Sequence, residues 1–238
     1  MKKIFALAVL AVAVLTAKAQ NDVVIDPNAE VRTLGGSFHS IRISGGMDLY
    51  LSQSSTESLA VSASEDRFKA GIKTVVENGV LRISYEGDKM WGVKNRKLKV
   101  YLSFHDLDKL DASGATDVYV AGTIAVPSLD MVLSGACDFK GAVKVDKLTM
   151  DLSGASDVKI SGSATNVKIE SSGASDVKGF DLVSEFCTAK ASGASDINIT
   201  INKELNAYAS GASDIYFKGS GLIRDLHNSG ASNVSRKN

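Results

Sequence analysis

The sequence predicts an all-β fold, a parallel β-helix of about 19 residues per coil behind a β-rich N-terminal portion. Three observations predict it. Ser-Gly-Ala occurs seven times, with its serine at 113, 134, 153, 172, 192, 210 and 229. The spacings of 21, 19, 19, 20, 18 and 19 form a period whose slips corner loops can absorb. Between the motifs apolar and polar residues alternate, as in Leu148-Thr149-Met150-Asp151-Leu152, which is the period of a strand. Helical periodicity is absent beyond the first 19 residues, and a chain with 21 Gly and only 2 Pro has many turns without many breaks.

The 238 residues divide into three stretches. Residues 1–19 read as a secretory signal: Lys2 and Lys3, an apolar run from Ile4 to Leu15, and the small-x-small pattern Ala17-Lys18-Ala19. The run is too short to span a bilayer, and no Cys at the cleavage site offers a lipid attachment point. Export predicts a periplasmic, outer-membrane-associated or extracellular location. Loss of Lys2, Lys3 and Lys18 turns a balanced chain, 27 basic against 27 acidic, into one of net charge −3. Such a balance argues against nucleic acid as a partner.

Residues 20–110 are a β-rich N-terminal portion with one divergent coil. Ser44-Gly45-Gly46-Met47-Asp48-Leu49 carries the Ser, Gly, Asp and apolar positions of the later repeat. Ile41 and Ile43, then Met47, Leu49 and Leu51, then Leu59, Val61 and Ala63 alternate as strands, as do Leu98, Val100, Leu102 and Phe104. Glu77-Asn78-Gly79 is a hairpin turn. This part is expected to cover the start of the solenoid, which would otherwise be an unpaired edge.

Residues 111–238 are the regular coils. Each reads as strand, Ser-Gly corner, strand, second turn. Five residues after the motif serine the residue is always apolar: Val118, Phe139, Val158, Val177, Ile197, Ile215, Val234. These are expected to line the inside, with the alanine two after the serine packing there where space is short. Stacking at about 4.8 Å per coil puts each column above the next. A leucine-rich repeat has a similar period but needs a regular Asn and a helical segment, both missing here.

Four residues after the serine stand Asp117, Asp138, Asp157, Asp176, Asp196, Asp214 and then Asn233, with Asp48 in the divergent coil. Neighbouring carboxylates at 4.8 Å repel by about 0.9 kcal/mol in water, so something must offset them. Lys140, Lys159 and Lys178, two residues further on, form one candidate ladder. Backbone N–H groups at the corner are a second, and a bound cation such as Ca²⁺ a third. The nine-residue Ca²⁺-binding repeat is not matched, so the column is expected to be structural and no metal site is assigned.

Trp91, the only Trp, lies with Lys94 and Arg96 between two strands, where it could stack on a sugar or anchor a partner. Cys187 takes a core position held elsewhere by Leu or Val, and Cys137 the position of Thr116, Ser156 and Ser175. Three repeats separate them, beyond the reach of about 7 Å that a disulfide allows, so two free thiols are expected, Cys187 buried. His39, His105 and His227 fall in no metal-ligand spacing, and no nucleophile elbow, zinc motif or phosphate loop is present. No catalytic residue and no cofactor is assigned.

The signal segment, the opening Gly36-Ser37-Phe38-His39-Ser40-Ile41-Arg42-Ile43-Ser44-Gly45, the hairpin Asn78-Gly79-Val80-Leu81-Arg82-Ile83 and the Ser-Gly-Ala-Ser-Asp repeats together resemble one family, the putative auto-transporter adhesin, head GIN domain family. The resemblance covers roughly residues 30–235. It implies an all-β, right-handed parallel β-helix outside the inner membrane and no catalytic residues. The expected function is a secreted or envelope protein, adhesin-like and non-enzymatic, whose solenoid faces bind glycan, matrix or another envelope protein. Two other readings stay open: a polysaccharide-cleaving enzyme built on a β-helix, and a structural accessory without a ligand.

Overall fold

The computed structural model describes residues 26–87 and 96–238. The signal segment, Trp91 and Lys94 lie outside the described residues. The chain is a nearly all-β solenoid, 69% strand and 3% helix, with about seven turns of roughly 19 residues. No helix among the described residues is long and apolar enough to cross a membrane.

The front of the chain supplies β1 (Glu30–Arg32), β2 (Ser40–Ser44), β3 (Asp48–Gln53), β4 (Ser58–Ser62), the short helix α1 (Asp66–Gly71), β5 (Ile72–Glu77), β6 (Val80–Tyr85) and β7 (Lys99–Phe104). The coils follow as β8 (Lys109–Gly114), β9 (Asp117–Ala125), β10 (Ser128–Gly135), β11 (Asp138–Gly154), β12 (Asp157–Ser171), β13 (Asp176–Ala191), β14 (Asp196–Gly211), β15 (Asp214–Lys218), β16 (Leu222–Gly230) and β17 (Asn233–Arg236). From β8 onward each coil pairs in parallel with the next, in register column by column: Leu129 beside Leu148, Asp138 beside Asp157, Val158 beside Val177.

The first coil is β2 and β3, and it does not stand first in the stack. Ser44 pairs with Ser113 and Asp48 with Asp117, so the divergent Ser-Gly-Gly-Met-Asp segment sits in the repeat's own columns. On their other side β2 and β3 pair in parallel with β6 and β7. The chain makes one coil, steps outward to build another beyond it, and returns inward to continue. That outer coil is finished by antiparallel strands: β5 on β6 through the Asn78-Gly79 turn, β4 on β7, and β1 on β4. Asn78 and Gly79 have φ of 51° and 75°, as a tight two-residue hairpin turn demands. α1, which the sequence did not announce, presses Phe68 into the end of the core.

The corner explains the motif. The motif glycine takes positive φ in every coil, +82° at Gly154. Its carbonyl accepts the N–H of the motif alanine one coil later: Ala155 to Gly135 at 2.7 Å, Ala174 to Gly154 at 2.8 Å, and so on to Ala231 and Gly211 at 2.8 Å. A Cβ on Gly154 would collide with the carbonyl and N of Gly135. Only glycine satisfies both the conformation and the approach.

The in-out alternation carries through the corner, with Leu152, Ser156 and Val158 all inward, and here the structure corrects the sequence reading. The motif alanines Ala115, Ala136, Ala155, Ala174, Ala194, Ala212 and Ala231 are exposed, not packed inside. The next residue turns inward instead: Thr116, Cys137, Ser156, Ser175, Ser195 and Ser213 are fully buried. A buried hydroxyl needs a partner. Ser156 donates to the carbonyl of Ser153 at 3.1 Å, Ser195 to that of Ser192 at 2.9 Å, and Ser213 to that of Ser210 at 2.8 Å. Each hydroxyl closes its own corner, and the hydroxyl of Ser175 accepts from the N–H of Ser156 in the coil before.

Inside, Val118, Phe139, Val158, Val177, Ile197 and Ile215 stack with Leu129, Leu148, Val167, Cys187 and Leu205 in one continuous core. Both cysteines are free and buried. Burial pushes the Cys187 thiol up to about 12.

Replacing Gly154 by Ala is expected to destabilise the fold by roughly 3 kcal/mol, a strained φ plus a backbone clash. Gly122→Ala, at φ +82° with open space around the added Cβ, should cost only about 1 kcal/mol. Equal losses in urea denaturation would deny the tight stack. Cys137→Ser, which restores the hydroxyl of its column, is expected to change stability by less than about 0.5 kcal/mol. Cys187→Ser places a hydroxyl among apolar neighbours and should cost about 1–3 kcal/mol.

Candidate functional site

The constant columns build the coil, so chemistry has to sit on outward positions that vary. One such column runs two residues before the motif serine along the whole solenoid. Register places Arg82, Arg42, Asp111, Val132, Asp151, Glu170, Lys190, Tyr208 and His227 side by side in that order. Strand alternation turns all of them away from the core.

Near the C-terminal end this column lines an open groove of about 520 Å³. Its walls are Asp151, Glu170, Lys190, Tyr208 and His227, with corner serines such as Ser192 along one rim. The Tyr208 and His227 rings stack at 5.2 Å, only 8° from parallel. The Tyr208 hydroxyl donates to Asp225 at 2.7 Å, and His227 Nε2 lies 3.0 Å from the same carboxylate. Asp225 thus fixes both rings, and the two contacts hold its carboxyl below the usual range. Glu170 sits between Lys168 at 3.1 Å and Lys190 at 3.2 Å, whose hydrogen bonds and charges keep its carboxyl ionised. The groove therefore offers a rigid aromatic pair, fixed charges of both signs and a row of hydroxyls. Among the described residues no serine or cysteine side chain hydrogen-bonds to a histidine side chain, and no cluster of three or more metal-ligating side chains occurs.

On the strand beyond the corner lies the carboxylate ladder Asp48, Asp117, Asp138, Asp157, Asp176, Asp196 and Asp214, ending in Asn233. Lys99 stands beside Asp48 at its outer end. The proposed lysine ladder forms one ion pair only: Lys178 reaches back one coil to Asp157 at 3.1 Å, while Lys140 and Lys159 have no carboxylate within salt-bridge distance among the described residues. Tyrosine and backbone do the rest. Tyr216 donates to Asp214 at 2.6 Å, and Asp214 and Asn233 give their N–H groups to the carboxylates of Asp196 and Asp214. At the front Tyr101, Tyr50 and Tyr119 stack at 5.1 and 5.2 Å in the same outward column as the lysines.

The sequence singled out Trp91, Lys94 and Arg96. Of these Arg96 alone is described. Its guanidinium lies 5.0 Å from the centre of the Tyr85 ring, at the N-terminal end of the stack and far from the groove. The groove itself went unread because no single residue in it is unusual. The signal that could have found it is variation within an aligned column: Asp, Glu, Lys, Tyr and His follow one another while the Ser, Gly and Ala columns of the corner stay constant.

The ladder has a pH consequence. Asp48, Asp138 and Asp196 are held above the ordinary carboxylate range, first by partial burial and then by neighbouring charge. A carboxyl that binds its proton more tightly when folded stabilises the fold as pH falls and loses that contribution as pH rises through its folded value. Asp138→Asn keeps an oxygen for the N–H of Asp157 and removes the charge. It is expected to raise stability at pH 7 by about 0.5 kcal/mol after screening, with the gain vanishing near the ordinary carboxylate value of about 4. Melting curves at the two pH values check this, and a loss of stability at pH 7 would count against the repulsion.

Comparison with known proteins agrees with the architecture. A "putative adhesin" from Bacteroides fragilis superposes with a TM-score of 0.78 at 23% identity, over 89% of this chain and 98% of that one. A "putative adhesin" from Parabacteroides distasonis gives 0.71 at 18%, covering 88% and 96%. A "putative lipid binding protein" from the same species gives 0.64 at 20%, covering 88% and 98%. At such identities the likeness speaks for the fold alone. No curated protein is detectably similar. The family model described as putative auto-transporter adhesin, head GIN domain, matches residues 37–221, and the chain belongs to that family.

Proposed function

We propose that this chain is an exported, non-enzymatic, adhesin-like protein that binds a surface or matrix glycan in the groove around Tyr208. The observation that carries the reading is the composition of that groove: a stacked Tyr208–His227 pair pinned by Asp225, beside Glu170, Lys190 and corner hydroxyls. Sugars present alternating apolar faces and hydroxyls. A rigid aromatic pair with fixed donors and acceptors suits both at low entropic cost. Family membership supports adhesion, and the charge, apolar run and small residues of positions 1–19 support export.

The polysaccharide-cleaving alternative needs one carboxyl kept protonated as an acid beside a second one. Glu170, central in the groove, is held in the opposite direction by Lys168 and Lys190. Asp225 is likewise held low by its hydrogen bonds. Both observations favour binding over hydrolysis.

The purified protein, incubated with a panel of insoluble glycans, mucin and matrix proteins, is expected to be retained on at least one glycan without release of soluble sugar. Tyr208→Ala should weaken retention about tenfold, the equivalent of about 1.4 kcal/mol, while Lys140→Ala on the strand beyond the corner leaves it unchanged. Sugar release would make the protein an enzyme. Retention only on protein would move the ligand class, and no retention would favour the ligand-free accessory.

A further inference from the structure

The two ends of the solenoid are finished differently. At the N-terminal end the outermost coil is covered. Antiparallel β4 and β5 flank it, α1 inserts Phe68, and its core residues Leu81, Ile83, Val100 and Leu102 are at most 2% exposed. The strands left at that edge are blunted: β1 has three residues, two of them Glu30 and Arg32, and β5 carries Lys73 and Glu77.

At the C-terminal end nothing comparable occurs. Among the described residues β16 pairs only with β14, and β17 only with β15. The core columns simply run out into solvent. Ile223 stands beside Leu205 and Leu226 beside Ala207. The inner members are fully buried, whereas Ile223 is 41% exposed, Leu226 46% and the adjoining Leu222 71%. Arg236 folds back onto the carbonyls of Gly219 and Gly221, which tidies β17 but leaves β16 bare.

We infer that two copies of this chain join through these ends, β16 of one pairing antiparallel with β16 of the other. A second copy is the occupant that the structure favours, for three reasons. Each chain offers one open end and one covered end, so a head-to-tail stack has no matching surface, while a two-fold pairing satisfies both open ends and closes. Charge fits as well. Beyond the bulge at Arg224, a two-fold centred on Leu226 sets Leu226 against Leu226 on the inside. On the outside it sets Asp225 against His227 twice. Finally, the carboxylate ladder ends in Asn233, so the coil that would face its own copy carries an amide where every earlier coil carries a charge.

The pairing would also place the Tyr208 grooves of the two copies on one continuous face, although the inference does not rest on what the grooves bind.

Sedimentation velocity over a range of concentrations tests it on the whole exported protein. The expected result is a monomer–dimer equilibrium with no larger species. Leu226→Lys, which sets two ammonium groups against each other, should leave only monomer, with a melting temperature no lower than that of the starting protein at the same low concentration. Val31→Lys, at the opposite edge, should leave the dimer intact. Leu226→Cys supplies a readout that does not depend on stability. Both native thiols are buried. Facing cysteines on an antiparallel pair lie within disulfide reach, so mild oxidation should convert this variant to a covalent dimer and leave Val31→Cys monomeric. A monomer at all concentrations, open-ended growth, a dimer that survives Leu226→Lys, or a dimer whose Leu226→Cys form refuses to cross-link would each overturn the inference.

Discussion

One hydrogen bond repeated up the stack governs this molecule. From Ala136 to Ala231 the N–H of the motif alanine reaches the carbonyl of the motif glycine one coil below, at 2.7–2.8 Å. That bond sets the distance between corners, and a side chain on the glycine would not fit. Once corners are spaced so, the strands on either side fall into register. The inward hydroxyls find their carbonyls, and valine lies on valine. The repeat is conspicuous in the sequence because almost every one of its positions answers to this contact.

The division of labour follows. Columns that hold the coil together are nearly invariant within the chain, and for that reason carry no information about a partner. The outward column ahead of the corner is free to differ at each level, and there Glu170, Lys190, Tyr208 and His227 gather. The carboxylate ladder is intermediate. It is outward and repeated, but at its C-terminal end Asp196 and Asp214 are tied to backbone N–H groups and Tyr216, so there it behaves as part of the scaffold.

Much of this architecture was legible in the residues. The period, the strand alternation, the Asn78-Gly79 hairpin and the buried Cys187 are local patterns, and local patterns survive folding. Three features were not legible. The outward turn of Gly154, at a position where alternation alone points inward, depends on its positive φ, whereas Ala155 outward and Ser156 inward follow the alternation from Val158. The placement of β6 and β7 outside β2 and β3 is a matter of strand order, which no window of sequence encodes. The groove combines residues 76 positions apart, from Asp151 to His227, and none of them is uncommon alone. The single Trp, by contrast, stands out by composition alone.

The clasped first coil has a mechanical meaning. The bonds between coils run along the solenoid axis, and the two termini of the described chain lie toward opposite ends, so tension between them would pull coils apart one after another. The C-terminal coils are stacked in chain order and can peel singly. β2 and β3 cannot, because they are held on one side by β6 and β7 and on the other by β8 and β9. Rupture therefore starts at the C-terminal end and meets its last and strongest resistance at the interleaved coils. A protein loaded this way would lengthen in steps of about one coil before giving way, as a shock absorber does.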